Sequence, residues 1–228
     1  MAENAATGRN SAGYPLWDWP VRLIHWLIVL LLPASWWTAE QGKLEAHQWL
    51  GLTLLVAVVT RLCWGLIGSA QARFSDFLRG PGAVVAALRG EAATTPGHNA
   101  AGGWSAILLW LLLLAQALSG TVNSDDILFT GPFREYLDSG LADAIAAWHE
   151  PLFNILLAFV ALHVLAIVYY ERLRGKTLLR PMITGSAPGR HGTAPAQPLY
   201  KALIVAALVA GMLWALIAMA PEPSSYYW

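Results

Sequence analysis

Five stretches of this chain, residues 21–37, 49–67, 104–120, 144–170 and 200–220, are apolar over nearly their whole length. A helix of about 20 such residues crosses a bilayer core about 30 Å thick. A backbone in lipid must also satisfy its own hydrogen bonds, which a helix does within the segment. The five stretches therefore predict an all-α integral membrane protein. The low charge content agrees, because 12% of the residues are charged against about 25% in a soluble domain.

The first stretch is the shortest and contains Pro33. A signal peptide cleaved near Pro33-Ala34-Ser35 is disfavoured by the long polar leader through Gly13 and the bulky Trp36-Trp37 pair, so an uncleaved span is expected. The net charge is formally zero, which gives no electrostatic case for nucleic acid. The single cysteine, Cys63, excludes an intrachain disulfide and a cysteine-rich metal site. The Cys-x-x-Cys-His motif that attaches c-type haem is also missing.

Charge then orients the spans. The leader (Arg9, Arg22), the second connection (Arg73, Arg79, Arg89) and the fourth (Arg172, Arg174, Lys176, Arg180, Arg190, Lys201) hold eleven of the fourteen Lys and Arg residues. The first connection has Lys43 alone, and the third has Arg134 among Asp125, Asp126, Glu135, Asp138, Asp143 and Glu150. The positive-inside rule predicts a cytoplasmic N-terminus and a C-terminus outside. Trp17, Trp19, Trp36, Trp37, Trp49, Trp64, Trp104 and Trp148 cluster near span ends, as interfacial anchors do. The Ala/Gly/Pro-rich residues 185–197 read as a flexible cytoplasmic loop.

Within this framework the histidines are unexpected. WHEPLFNILLAFVALH, residues 148–163, carries His149 and His163 fourteen residues apart. In a helix that interval rises about 21 Å and returns to within about 40° of the same face. Pro151 is expected to disturb at most the first turn. The two rings are too far apart to share one metal, so each needs a partner from another helix. By depth, His47 at the outer end of span two matches His149, and His25 a turn into span one matches His163.

A lone histidine at a span end is ordinarily an interfacial polar group or a helix-to-helix hydrogen bond. Four that pair by depth, inside segments where ionisable groups are costly, point to function. Zinc would want carboxylates or thiolates in a compact cluster, and none lies beside them. Bis-histidine ligation of two stacked haems in a four-helix bundle, with a fifth transmembrane helix beside it, is the better match.

Two further residues fit this reading. Gly51 lies one turn after His47, where a missing side chain would let a porphyrin lie against the helix; close helix packing explains it equally well. Arg61 follows His47 by fourteen residues and falls at the cytoplasmic level. Inside a span it needs an anion such as a haem propionate or a buried carboxylate, or it snorkels to the surface.

The pieces WDWPVRLIHW, HQWLGLTLLVAVVTRLCWGLIGS, ARFSDFLRGP, PGHNAAGG, WHEPLFNILLAFVALH and PMITG run in order over most of residues 14–185. In this the chain resembles the bacterial cytochrome b561 group, which includes the b-type cytochrome subunit of nickel–iron hydrogenases. The resemblance implies a haem-bearing four-helix core over about 14–185 within a single membrane domain, with the fifth helix at about 199–220 outside it. It places the haem ligands on His25, His47, His149 and His163, as the depth argument does. It also implies two non-covalent b haems, exchange with the membrane quinone pool, and residence in the bacterial inner membrane. Ala100 stands where the group often has proline after Gly-His-Asn. His98 in that loop is read as a surface residue and His191 as solvated.

The function this implies is a transmembrane electron conduit, an electron-transfer subunit more than a stand-alone enzyme. It would link a periplasmic redox protein (a c-type cytochrome, hydrogenase or dehydrogenase) to quinone, the acidic third connection recruiting a basic partner. A homodimer is compatible with this reading. One alternative is an oxidoreductase acting directly on a small periplasmic reductant such as superoxide, as relatives in the group do. Another is a haem-free carrier that moves protons on its histidines.

Overall fold

The computed structural model describes residues 13–90, 97–125 and 129–221. Arg9, Asp126 and Pro96, used in the sequence reading, lie outside the described residues. The described chain forms α1 (Trp19–Glu40), α2 (Leu44–Ile67), α3 (Phe74–Phe77), α4 (Pro81–Arg89), α5 (Ala100–Gly120), α6 (Ser139–Ala146), α7 (His149–Arg172), α8 (Leu179–Thr184) and α9 (Leu199–Ala218). Among the described residues there is no strand, only isolated bridges such as Tyr14 with Gly192. α1, α2, α5, α7 with its lead-in α6, and α9 are each long and apolar enough to cross a membrane. The protein is a multi-pass helical membrane protein with the five expected spans.

Polar side chains set the helix starts. Asp18 accepts from Val21 N (2.9 Å) at the head of α1, Asn99 from Gly102 N (2.7 Å) at α5, and Asp138 from Leu141 N (3.0 Å) at α6. Pro33 remains inside α1. The fourth stretch, expected to be continuous from residue 144, is instead interrupted at Ala147 and Trp148. Pro151 favours the break, because its ring crowds the carbonyl four residues earlier, that of Ala147. In the first turn of α7 the same proline costs no hydrogen bond.

α1 packs on α2, α2 on α5, and α5 on α7, while α9 lies against α2 and the edge of α1. Ile24, Ile28 and Leu31 of α1, Leu54, Ala57 and Val58 of α2, Leu113 of α5 and Leu156 of α7 form the central core. α7 makes an extended contact with α5 alone among the spans, and its Leu162, Leu165 and Val168 are exposed. Such a surface suits lipid on one side and leaves the histidine side short of helix neighbours.

The end of the bundle that carries the α1 N-terminus is closed by a cap. Leu16 N and Trp17 N donate to Gly185 O (2.7 and 3.3 Å), Gly192 N to Tyr14 O (2.8 Å), and Gln197 N to Ser69 Oγ (2.9 Å). Residues 185–197 are therefore a docked strap and not the expected flexible loop. Their small residues resemble a linker in composition, but here they allow close backbone approach: a Cβ on Gly192 would collide with Pro15 O.

The same cap accounts for three other departures. Arg22, counted as a leader charge, lies in the first turn of α1, 6% exposed, with its guanidinium 4.1 Å over the Trp19 ring. Of the eight span-end tryptophans, Trp17 and Trp64 are buried, whereas the other six are exposed as anchors should be. Trp64 turns inward because its Nε1–H donates to Asp18 Oδ2 (2.9 Å).

Candidate haem site

Two helix pairs bring His47 and His149 together. The short α1–α2 turn, made at Gly42 with φ 66°, folds the start of α2 against α1, where His47 Nδ1–H donates to Ser35 O (2.8 Å). The end of α5 meets the start of α7, where His149 Nδ1 lies 3.0 Å from Ser119 Oγ. The two ring centres are 6.0 Å apart with their planes at 86°. Rings whose facing nitrogens each sit about 2 Å from a shared metal have centres about 6 Å apart. With its Nδ1–H given to Ser35 O, His47 keeps a lone pair on Nε2, as a metal ligand requires, while both ring nitrogens of His149 lie 3.3 Å from the Gln116 amide nitrogen.

His25 on α1 and His163 on α7 occupy the other end, within electrostatic reach of one another. His25 Nδ1 is buried with no hydrogen-bond partner among the described residues. Arg61, which like His163 lies within electrostatic reach of His98, is 3% exposed, so it does not snorkel to the surface. Its Nη2 donates weakly to Ala72 O (3.4 Å), and its guanidinium lies over Trp110 (5.4 Å) and Phe74 (5.7 Å). Its Nε and Nη1 are buried without partners among the described residues.

The buried carboxylate in reach is Asp18, but it already accepts from Val21 N, Trp64 Nε1 and Ser69 Oγ. Two buried guanidiniums, Arg22 and Arg61, thus face one committed carboxylate. Uncompensated buried charge is costly, so this end suits a further anion such as a propionate.

His98 departs from its expected place on the surface. Its ring packs between Trp17 (4.8 Å) and Phe77 (5.0 Å). Burial, with the charges of Arg61 and His163 nearby, pushes its pKa down to about 3. His191 is exposed, as expected.

A Cβ on Gly51 would meet nothing within 4 Å, so there is open space beside the α2 histidine face. No cluster of three or more His, Cys, Asp or Glu side chains forms among the described residues, so the histidines stand as pairs. These features fit haem: facing imidazoles, orphaned buried donors and room at a glycine.

Ser35, Gln116, Ser119 and Gly120 emerge as site residues only in the folded structure. The last three lie within a single turn of an otherwise apolar span, which is the signal that marks them. A Cβ on Gly120 would come within 2.8 Å of His149 Cε1, so glycine there makes room for the ring.

Fold and site together define a helical multi-pass membrane protein with facing imidazoles at one end of its bundle and buried cations at the other. The chain belongs to the prokaryotic cytochrome b561 family, whose model matches residues 16–185. It is accordingly a b-type membrane cytochrome of electron transport, a haem b protein that works with redox partners. Comparison with curated proteins and with solved structures gave no match.

Proposed function

We propose that the protein is a di-haem cytochrome that carries electrons across the bacterial inner membrane between a periplasmic redox partner and the quinone pool. His47 and His149 hold one haem, and His25 and His163 hold the other. The observation that carries this reading is the facing of His47 and His149 at 6.0 Å, each with its Nδ1 hydrogen-bonded. Bound there, haem supplies reversible one-electron chemistry.

The chain's own residues do the rest. Ser35 and Ser119 fix the ring tautomers, Gly51 leaves room for the macrocycle, and Arg61 meets a propionate with its unpaired Nε–H and Nη1–H. The haem-binding core spans about 14–185, and α9 stands outside it in the same membrane domain. The Arg- and Lys-rich connections support a cytoplasmic N-terminus and a periplasmic C-terminus. The acidic α5–α7 connection then faces the periplasm, where it suits a basic partner: a c-type cytochrome, a hydrogenase or a dehydrogenase.

In lipid nanodiscs the purified protein should hold two haems per chain, and a soluble quinone analogue should reoxidise them once reduced. One haem per chain, or haems unresponsive to quinone, contradicts the proposal. Stopped-flow reduction by a c-type cytochrome against reduction by superoxide identifies the donor class.

A further inference from the structure

The two histidines of the facing pair are anchored in chemically different ways. His47 Nδ1–H donates to a backbone carbonyl, Ser35 O, at 2.8 Å. His149 Nδ1 meets a side chain, Ser119 Oγ, at 3.0 Å. The Ser119 hydroxyl hydrogen is already committed, because Oγ donates to Gln116 O at 3.0 Å. Towards His149 the oxygen can therefore only accept, which places the proton on Nδ1 and the lone pair on Nε2.

The relay is buried. Ser119 is 2% exposed and Gln116 9%. The Gln116 amide nitrogen lies 3.3 Å from both ring nitrogens. Gly120 leaves the ring its place.

From this relay we infer that Ser119 is the positioning residue that fixes the tautomer of His149 and sets the potential of the haem it holds. This rests on the reading of His149 as an axial ligand. An Nδ1–H hydrogen bond pushes electron density towards Nε2 and makes the ring a more basic ligand. A more basic ligand favours ferric over ferrous iron, so the bond holds the potential down. At His47 a substitution cannot delete the Ser35 carbonyl, which is the nearer partner of Nδ1 at 2.8 Å, while Ser35 Oγ lies 3.2 Å from the same nitrogen.

The test is potentiometric titration of the haem-loaded protein, with EPR of its low-spin ferric signals. Ser119→Ala should raise the midpoint of one haem by up to a tenfold change in its reduction equilibrium, ~59 mV for one electron. The EPR signal of that haem should shift and the other haem should be unmoved. Ser119→Thr, which keeps the hydroxyl, should restore the original potential. Unchanged potentials and EPR in Ser119→Ala overturn the inference, as does a shift of both haems together. If Ser119→Ala takes up no haem, Ser119→Thr decides: a normal potential supports the relay, and loss of haem there too assigns Ser119 to packing and overturns it. His149→Ala is the control for the underlying reading. Retention of both haems in that variant defeats the ligand assignment itself, whatever Ser119 does.

Discussion

His47 and His149, from helices that make no extended contact, face each other with ring centres 6.0 Å apart and planes at 86°. The relationship depends on two helix hairpins, α1–α2 and α5–α7, each contributing a hydrogen-bond acceptor to one ring.

Gly120→Ala probes the room beside His149. The added Cβ would sit 2.8 Å from Cε1 and 3.3 Å from Nδ1. Overpacking of this kind costs about 1–3 kcal/mol. The ring should rotate or withdraw, so the variant should lose or convert to high spin one of its haems, as read by EPR and by the pyridine haemochrome assay.

Arg61→Gln tests the buried cation. Hydrogen bonds to charged groups contribute about 1.5–3 kcal/mol, so losing a propionate partner should speed haem loss tenfold or more. Transfer of haem to excess apomyoglobin measures this, and the slower-leaving haem should be the one held by His47 and His149. Unchanged haem loss would leave Arg61 with a packing role over Trp110 and Phe74.

Asp18→Ala should loosen the cap. Asp18 caps α1 and also accepts from Trp64 and Ser69. Loss of the helix cap costs about 1 kcal/mol, and each buried donor left unpaired costs about 1–3 kcal/mol more. A lowered thermal midpoint is expected, with the spectrum of the His47/His149 haem unaltered.

His98 gives a pH dependence. Its pKa falls from the ordinary 6.5 to about 3 in the folded protein. Between those values the unfolded chain binds a proton that the native state does not, so stability falls as the pH drops below 6.5 and is level above it. His98→Asn should flatten that part of the profile of thermal midpoint against pH. An unchanged slope would assign the acid sensitivity to other groups.

The spans were legible in the sequence because lipid imposes one rule on every residue of a segment. The His47/His149 meeting was legible for a related reason, since helix rise and alternating direction fix depth. What escaped depends on contacts between distant segments. The strap at 185–197 has the composition of a linker, yet its backbone pairs with residues 14–17. Arg22, Trp17, Trp64 and His98 sit at span ends, where hydropathy cannot separate a side chain at the interface from one turned into a cap. The break before α7 was written in Pro151, whose effect reaches back four residues to Ala147. Gln116, Ser119 and Gly120 were visible as a polar and small patch in an apolar span, but their role appears only once His149 is beside them.

The most direct test of the account is haem stoichiometry, with low-temperature spectra and EPR, on His25→Ala, His47→Ala, His149→Ala and His163→Ala. His47→Ala and His149→Ala should each lose the same spectral component and keep the other, while His25→Ala and His163→Ala should lose the second component and keep the first. Loss of one common component by His25→Ala and His47→Ala, or full haem content in any of the four, would contradict it.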